Sequence, residues 1–196
     1  MSKTTSKRIA LLSAVAFSAI AITATIVAPV SAQDKMKSEM SGEKTVMVGG
    51  AAMFPSKNIV QNAVNSKDHT TLVAAVKAAG LVDTLESKGP FTVFAPTNAA
   101  FGKLPAGTVD TLVKSENKAT LTKILTYHVV AGKLEASDLT DGKKLKTVQG
   151  EELTVKRSGD TVMIIDSKGG SSTVTIPNVN QSNGVIHVVD TVLMPS

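Results

Sequence analysis

Cysteine and tryptophan are absent from the 196 residues, and tyrosine occurs once. Without thiols there is no disulfide, no thiolate nucleophile and no lipid-anchoring cysteine, so stability must rest on a hydrophobic core alone. Aromatic residues make up only 3%, too few rings for an extended stacking platform, which counts against single-strand nucleic-acid and carbohydrate modules. After the first 32 residues no apolar run is long enough to span a bilayer, and no Lys/Arg cluster stands out.

What is present fits a globular protein: 42% hydrophobic and 19% charged residues, at a length suited to one domain with an extension. The N-terminus reads as a secretory signal peptide over residues 1–32. Lys3, Lys7 and Arg8 precede an apolar run from Ile9 to Val27, and Val30-Ser31-Ala32 offers a cleavage site after Ala32. Cleavage there removes three basic residues and no acidic one, which lowers the formal net charge from +5 to +2. The exported chain then lacks the basic field that nucleic-acid binding uses, and no nucleic-acid partner is expected.

Residues 33–54 read as a flexible linker, polar in DKMKSEMSGEK and small in VMVGGAAMF. It carries Met36, Met40, Met47 and Met53, a thioether set that would suit Cu(I) and defines one alternative function, periplasmic copper handling. No His or Cys accompanies them, so a plain tether is the simpler reading.

The folded domain is placed at residues 55–195. Ser56 is the expected cap of a helix over NIVQNAVN. A second helix from Asp68 or Thr70 buries Leu72, Ala75, Val76 and Ala79 and stops at Gly80, and VDTLESK forms a third. In FTVFAPTNAAF, Phe91, Val93 and Ala95 face one way and Thr92 and Phe94 the other, an interior strand that Pro96 ends. Thr97 or Asn98 then caps a helix that buries Phe101. Two further helices fit AGTVDTLVKS and ENKATLTKILTY. After His128 the period changes to alternation, with strands HVV, KLKTV, ELTVKR, TVMIID, STVTI and VIHVVDTVLM separated by turn residues. Helices first and strands afterwards predict an α+β domain, and no internal repeat is present.

Three segments carry a likeness to a known family. FTVFAPTNAAF, LTYHVVAG and NGVIHVVDTVLMP, in that order and with the helical lead-in before them, resemble the signature blocks of the fasciclin domain, most closely its secreted single-domain bacterial members. The resemblance implies a β-wedge of about seven strands with helices packed along it. It also implies a non-enzymatic adhesion or matrix and envelope interaction module, outside the cytoplasm in an extracellular or periplasmic setting. The expected partners are a protein or a cell-surface or matrix component, with weak self-association and no stable membrane insertion after signal cleavage. One departure is Ala131, where relatives often carry proline.

Carried over, the family's binding role falls on Tyr127, His128, Leu125 and Val129. The residues themselves also support another reading, a Tyr-His pair buried among Ile124, Leu125, Val129 and Val130 that holds the fold. His187 shares a strand face with Val185 and Val189 and reads as a core histidine, whereas His69, at a helix start, is expected at the surface. Three scattered histidines make a metal cage improbable, and no cofactor is expected. A hydrolase is the remaining alternative. It lacks a nucleophile motif, and alternation sends His187 and Asp190 to opposite faces. No catalytic residue is assigned.

Overall fold

A computed structural model describes residues 44–196. The signal-peptide reading, and Met36 and Met40 of the linker, lie outside the described residues. The linker reading does not hold as far as Phe54. Val46–Val48 (β1) and Ala51–Met53 (β2) pair antiparallel across Gly49 and Gly50, and Val48 and Met53 turn inward to join the core. Short apolar runs on either side of a Gly-Gly pair form a hairpin because both glycines adopt the positive φ that a tight turn needs, 57° and 76° here.

Helices follow. Ile59–Ala63 (α1) is capped by Asn58 and not by Ser56: Asn58 Oδ1 accepts from the Gln61 N–H at 2.8 Å, and Gln61 Oε1 accepts from the Asn58 N–H at 3.1 Å. The reciprocal pair satisfies two free donors at once, which a lone serine two residues earlier does not. Thr70–Ala79 (α2) buries Leu72, Ala75, Val76 and Ala79 and ends on Gly80 with φ 72°, as its spacing predicts. Val82–Glu86 (α3) is short, and Leu85 is its buried residue. Asn98–Gly102 (α4), Thr108–Leu112 (α5) and Lys118–Tyr127 (α6) complete the helical part.

The sheet strands are Phe91–Pro96 (β3), Val129–Ala131 (β4), Lys144–Lys146 (β5), Glu152–Ser158 (β6), Thr161–Ile165 (β7), Ser171–Gln181 (β8) and Gly184–Val189 (β9). Their order is β4-β3-β9-β8-β7-β6-β5, antiparallel except for β3 beside β9, which run parallel from Phe91↔Gly184 to Pro96↔Val189. The close approach at Gly184 leaves no room for a side chain, because a Cβ there would overlap the Phe91 carbonyl. β8 pairs with β7 at one end and with β9 at the other, with register shifts around Ile176, so one long strand carries the sheet around a corner. A bridge from Val130 to Thr147 brings the two ends of the sheet together, making a nearly closed wedge in an α+β fold.

Two apolar clusters result. One lies between the helices and the outer face of β3 and β9, where Val93, Ala95, Ile186 and Val188 meet α2 and α6. The other fills the wedge with Phe94, Tyr127, Leu139, Leu153, Ile164 and Leu193. The alternation read from FTVFAP therefore divides correctly: Val93 and Ala95 go to the helices and Phe94 to the wedge.

Thr97 caps α4, accepting from the Ala100 N–H at 3.2 Å. Asn98 does not cap its own helix. Its Oδ1 accepts from the Thr71 N–H at 3.0 Å and its Nδ2 donates to the Lys67 carbonyl at 2.8 Å, which serves the start of α2, where no side chain of its own caps the helix. Asn98→Ala is expected to destabilise the fold by about 1–2 kcal/mol by leaving those groups unpaired. Urea unfolding with unchanged m-value would record it; a loss below about 0.5 kcal/mol would show the contact to be incidental.

Candidate functional site

The residues expected to bind lie at the junction of α6 and β4, and all four are buried: Tyr127 is 0% exposed, His128 2%, Leu125 5% and Val129 7%. The expected contact surface made of these side chains is therefore an interior one. Leu125 and Val129 belong to the helix-side core, Tyr127 to the wedge. α6 presents Leu121, Ile124, Leu125 and Tyr127 inward by helical spacing, and the chain turns at His128 into the strand.

His128 has both ring nitrogens engaged. Nδ1 is 2.9 Å from the Ile124 carbonyl, one helical turn back, and Nε2 is 3.0 Å from the Leu193 backbone nitrogen. A backbone N–H only donates, so Nε2 must accept and Nδ1 must carry the proton, and the ring is neutral. Burial pushes its pKa down to about 4, against the opposing effects of the Ile124 carbonyl and Asp166. The Tyr127 hydroxyl accepts from the Ser167 N–H at 2.9 Å and donates to the Glu152 carbonyl at 3.4 Å.

His187 repeats the arrangement with the other tautomer. Nε2 donates to the Leu134 carbonyl at 2.8 Å, Nδ1 accepts from the Asn178 N–H at 3.4 Å, and the ring stacks on Phe94 with centroids 5.7 Å apart. It is fully buried, as its strand face implied, and burial lowers its pKa. Asp190 is not its partner. That carboxylate accepts from the Thr173 N–H at 2.8 Å and from the Thr191 hydroxyl, and pairs with Lys103 at 3.4 Å. Burial raises its pKa, but the Thr173 N–H, Thr191 and Lys103 outweigh that and leave it below the usual carboxylate value.

His69 departs from expectation. It is 3% exposed, with Nδ1 2.9 Å from Ser66 Oγ, and burial lowers its pKa while the Ala95 carbonyl and Asp68 oppose. The β1–β2 hairpin packs on this turn, with the Gly49 carbonyl accepting from the Lys67 N–H at 3.2 Å. The surface expectation rested on the helix start alone, and the hairpin packed on that turn was not part of it.

Several polar anchors carried no signal in the sequence. Met194 N–H donates to Asp166 at 3.1 Å and Ser196 N–H to Glu151 at 2.9 Å, so the last residues are strapped across the junction that holds His128. The Ser196 N–H, helped by Ser167 and Gln149 and opposed by partial burial, brings Glu151 down to about 2. Asn183 donates to the Leu85 carbonyl at 2.7 Å and accepts from the Ile59 N–H at 3.1 Å, tying the β8–β9 turn to two helices. The three segments that carry the resemblance thus meet at one place: the Phe94 N–H donates to the His128 carbonyl at 2.9 Å, and Leu193 donates to the His128 ring.

A family model described as the Fasciclin domain matches residues 67–195. The chain belongs to the fasciclin domain family. Among relatives of this fasciclin domain, Protein sll1483 of Synechocystis is 48% identical over 78% of this chain and 82% of the relative. The Immunogenic protein MPB70 of Mycobacterium bovis is 42% identical over 68% of this chain and 66% of its own length. Cell surface glycolipoprotein MPB83 of the same species is 40% identical over 76% of this chain and 64% of its own. A FAS1 domain pair from the insect cell adhesion molecule Fasciclin I aligns with a TM-score of 0.64 at 18% identity, over 78% of this chain and 58% of that one, a likeness of fold. The matched stretch begins after the β1–β2 hairpin and α1.

Of the methionines, Met53 is buried in the core while Met47 is 59% exposed on the other face of the hairpin, so these two do not converge on one ion. Among the described residues no three His, Asp or Glu side chains form a cluster with metal-binding geometry.

Proposed function

We propose that this fasciclin domain is a secreted, non-enzymatic interaction module of the adhesion type, which holds cells or envelope material together through its outer surface. The observation that carries the reading is the state of the signature histidines. The rings of His128 and His187 are buried, neutral and hydrogen-bonded at both nitrogens within the chain, leaving neither a free base nor an exposed imidazole. The names of the mycobacterial and insect relatives, a cell surface glycolipoprotein and a cell adhesion molecule, support the setting. The Tyr-His block then supports adhesion by shaping the fold, and outward-facing residues make the contact with a protein or a cell-surface or matrix component.

A surface of this kind, with no large exposed aromatic among the described residues, gives weak single contacts that gain strength by repetition. Beads densely coated with the full-length chain are expected to retain envelope fragments at least tenfold better than beads carrying sparse chain. Equal retention at both densities, or none above uncoated beads, would remove the adhesion reading. Steady turnover of ester or peptide substrates that His187→Ala abolishes would overturn the non-enzymatic part.

A further inference from the structure

The turn between β8 and β9 ends on Asn183-Gly184, the one asparagine of the chain that a glycine follows. Released from structure, that pair is chemically labile: glycine carries no side chain to shield its backbone nitrogen, and its conformational freedom lets the nitrogen reach the neighbouring Asn Cγ. The fold nevertheless needs both residues. A Cβ at position 184 would overlap the Phe91 carbonyl. Asn183 serves three backbone groups, its Nδ2 donating to the Leu85 carbonyl at 2.7 Å and the Ser87 carbonyl at 2.9 Å while its Oδ1 accepts from the Ile59 N–H at 3.1 Å. Aspartate has no donor for the two carbonyls, and glutamine is longer by a methylene.

The contacts that make the pair necessary also block its reaction. Ring closure requires the side chain to swing Cγ over the Gly184 nitrogen and the peptide between the two residues to rotate. The side chain is 6% exposed and held by its hydrogen bonds. The peptide is held as well: the Asn183 carbonyl accepts from the Phe91 N–H at 3.1 Å, and Gly184 stands opposite Gln181 in the ladder. Opening of the turn removes all of these restraints together.

We propose that Asn183 is a modification site governed by folding, shielded in the native state and deamidated when the β8–β9 turn opens, so that prolonged unfolding becomes irreversible. The Gly184 nitrogen, giving its proton to solvent, forms a bond to Asn183 Cγ. The Cγ–Nδ2 bond breaks, Nδ2 takes up a proton and leaves as ammonia, and a cyclic imide remains. Water then adds to one carbonyl of the imide and the ring opens, to aspartate where the new bond breaks and to isoaspartate where the original peptide bond does. Neither product fits the site. A carboxylate has no hydrogen for the Leu85 and Ser87 carbonyls and would be buried against them. Isoaspartate also lengthens the backbone by a methylene at the point where β9 meets Phe91. The inference stands apart from the adhesion reading, since it concerns the buried turn and not the outer surface.

The test holds the full-length chain in warm, mildly alkaline buffer, with and without concentrated guanidinium chloride, and follows each asparagine by tandem mass spectrometry. In denaturant Asn183 is expected to convert ahead of every other asparagine. In the folded chain only opened molecules react, so its conversion there should be slower by about a hundredfold or more. After removal of denaturant, the fraction that regains the native circular dichroism should fall in step with the fraction converted. Asn183→Asp, which carries one product from the start, should show the same loss of refolding or a lowered urea midpoint. Equal conversion in buffer and denaturant, no conversion in denaturant, or converted and Asn183→Asp chains that refold with parental stability would overturn the proposal.

Discussion

His128→Ala is expected to destabilise the domain by about 4 kcal/mol, a large part of the 5–15 kcal/mol that holds a typical domain together. Three losses coincide. The ring leaves a cavity at the junction of both cores, the Ile124 carbonyl loses its donor, and the Leu193 N–H loses its acceptor. Each buried group left unpaired costs about 1–3 kcal/mol, and the cavity adds to that. The Leu193 contact also anchors the C-terminal strap, so its release frees Met194 and Ser196 from Asp166 and Glu151. Urea unfolding of the full-length chain measures the effect, with exposed Lys156→Gln as a control expected to change stability by less than about 0.5 kcal/mol. A His128→Ala protein as stable as its parent would show that the ring is not a structural member. Any fall in adhesion of this variant should follow its unfolded fraction, which separates lost structure from lost contact.

Acid should weaken the fold by a comparable amount. In the unfolded chain His128 takes up its proton near 6.5, and in the folded state only near 4. Between those values the unfolded state holds the extra proton, so lowering the pH favours unfolding. The stabilisation is complete above 6.5, falls through the interval and is gone below about 4, a loss of about 3 kcal/mol. His69 and His187 are shifted in the same direction and steepen the fall. Glu151, ionised in the folded state down to about 2 instead of 4.5, extends the loss into stronger acid. The melting temperature is expected to drop by roughly 5–10 °C between pH 7.5 and pH 4.5. A flat profile over that range would contradict the burial of neutral imidazoles.

The fold was largely readable along the chain because its signals are local. α2 shows its apolar stripe and its Gly80 stop, and the strands after His128 alternate between clear turn residues. The parallel pairing of β3 with β9 was not readable, since it joins residues about ninety positions apart with nothing local to announce it. The hairpin was missed although Gly49-Gly50 marks its turn, because its strands are only three residues each, too short to show an alternation. His69 was read as exposed from its place at a helix start, yet it is buried on the turn against which the hairpin packs. Asn98 misled for a related reason: a residue with capping chemistry after a strand suits its own helix, but its partners lie 27 to 31 residues upstream. At the Tyr-His block the apolar flanks pointed inward, and the structure follows them rather than the carried-over contact surface. What the flanks did not show is the partner of the ring, Leu193, which folding brings in from 65 residues away.

The most direct measurement is the pH dependence of the His128 ring nitrogens by ¹⁵N NMR on the full-length chain. The expected shift pattern is that of a neutral ring protonated at Nδ1, unchanged from pH 8 down to about 5. A ring that titrates near 6.5, or that shows the Nε2-protonated form, would contradict it.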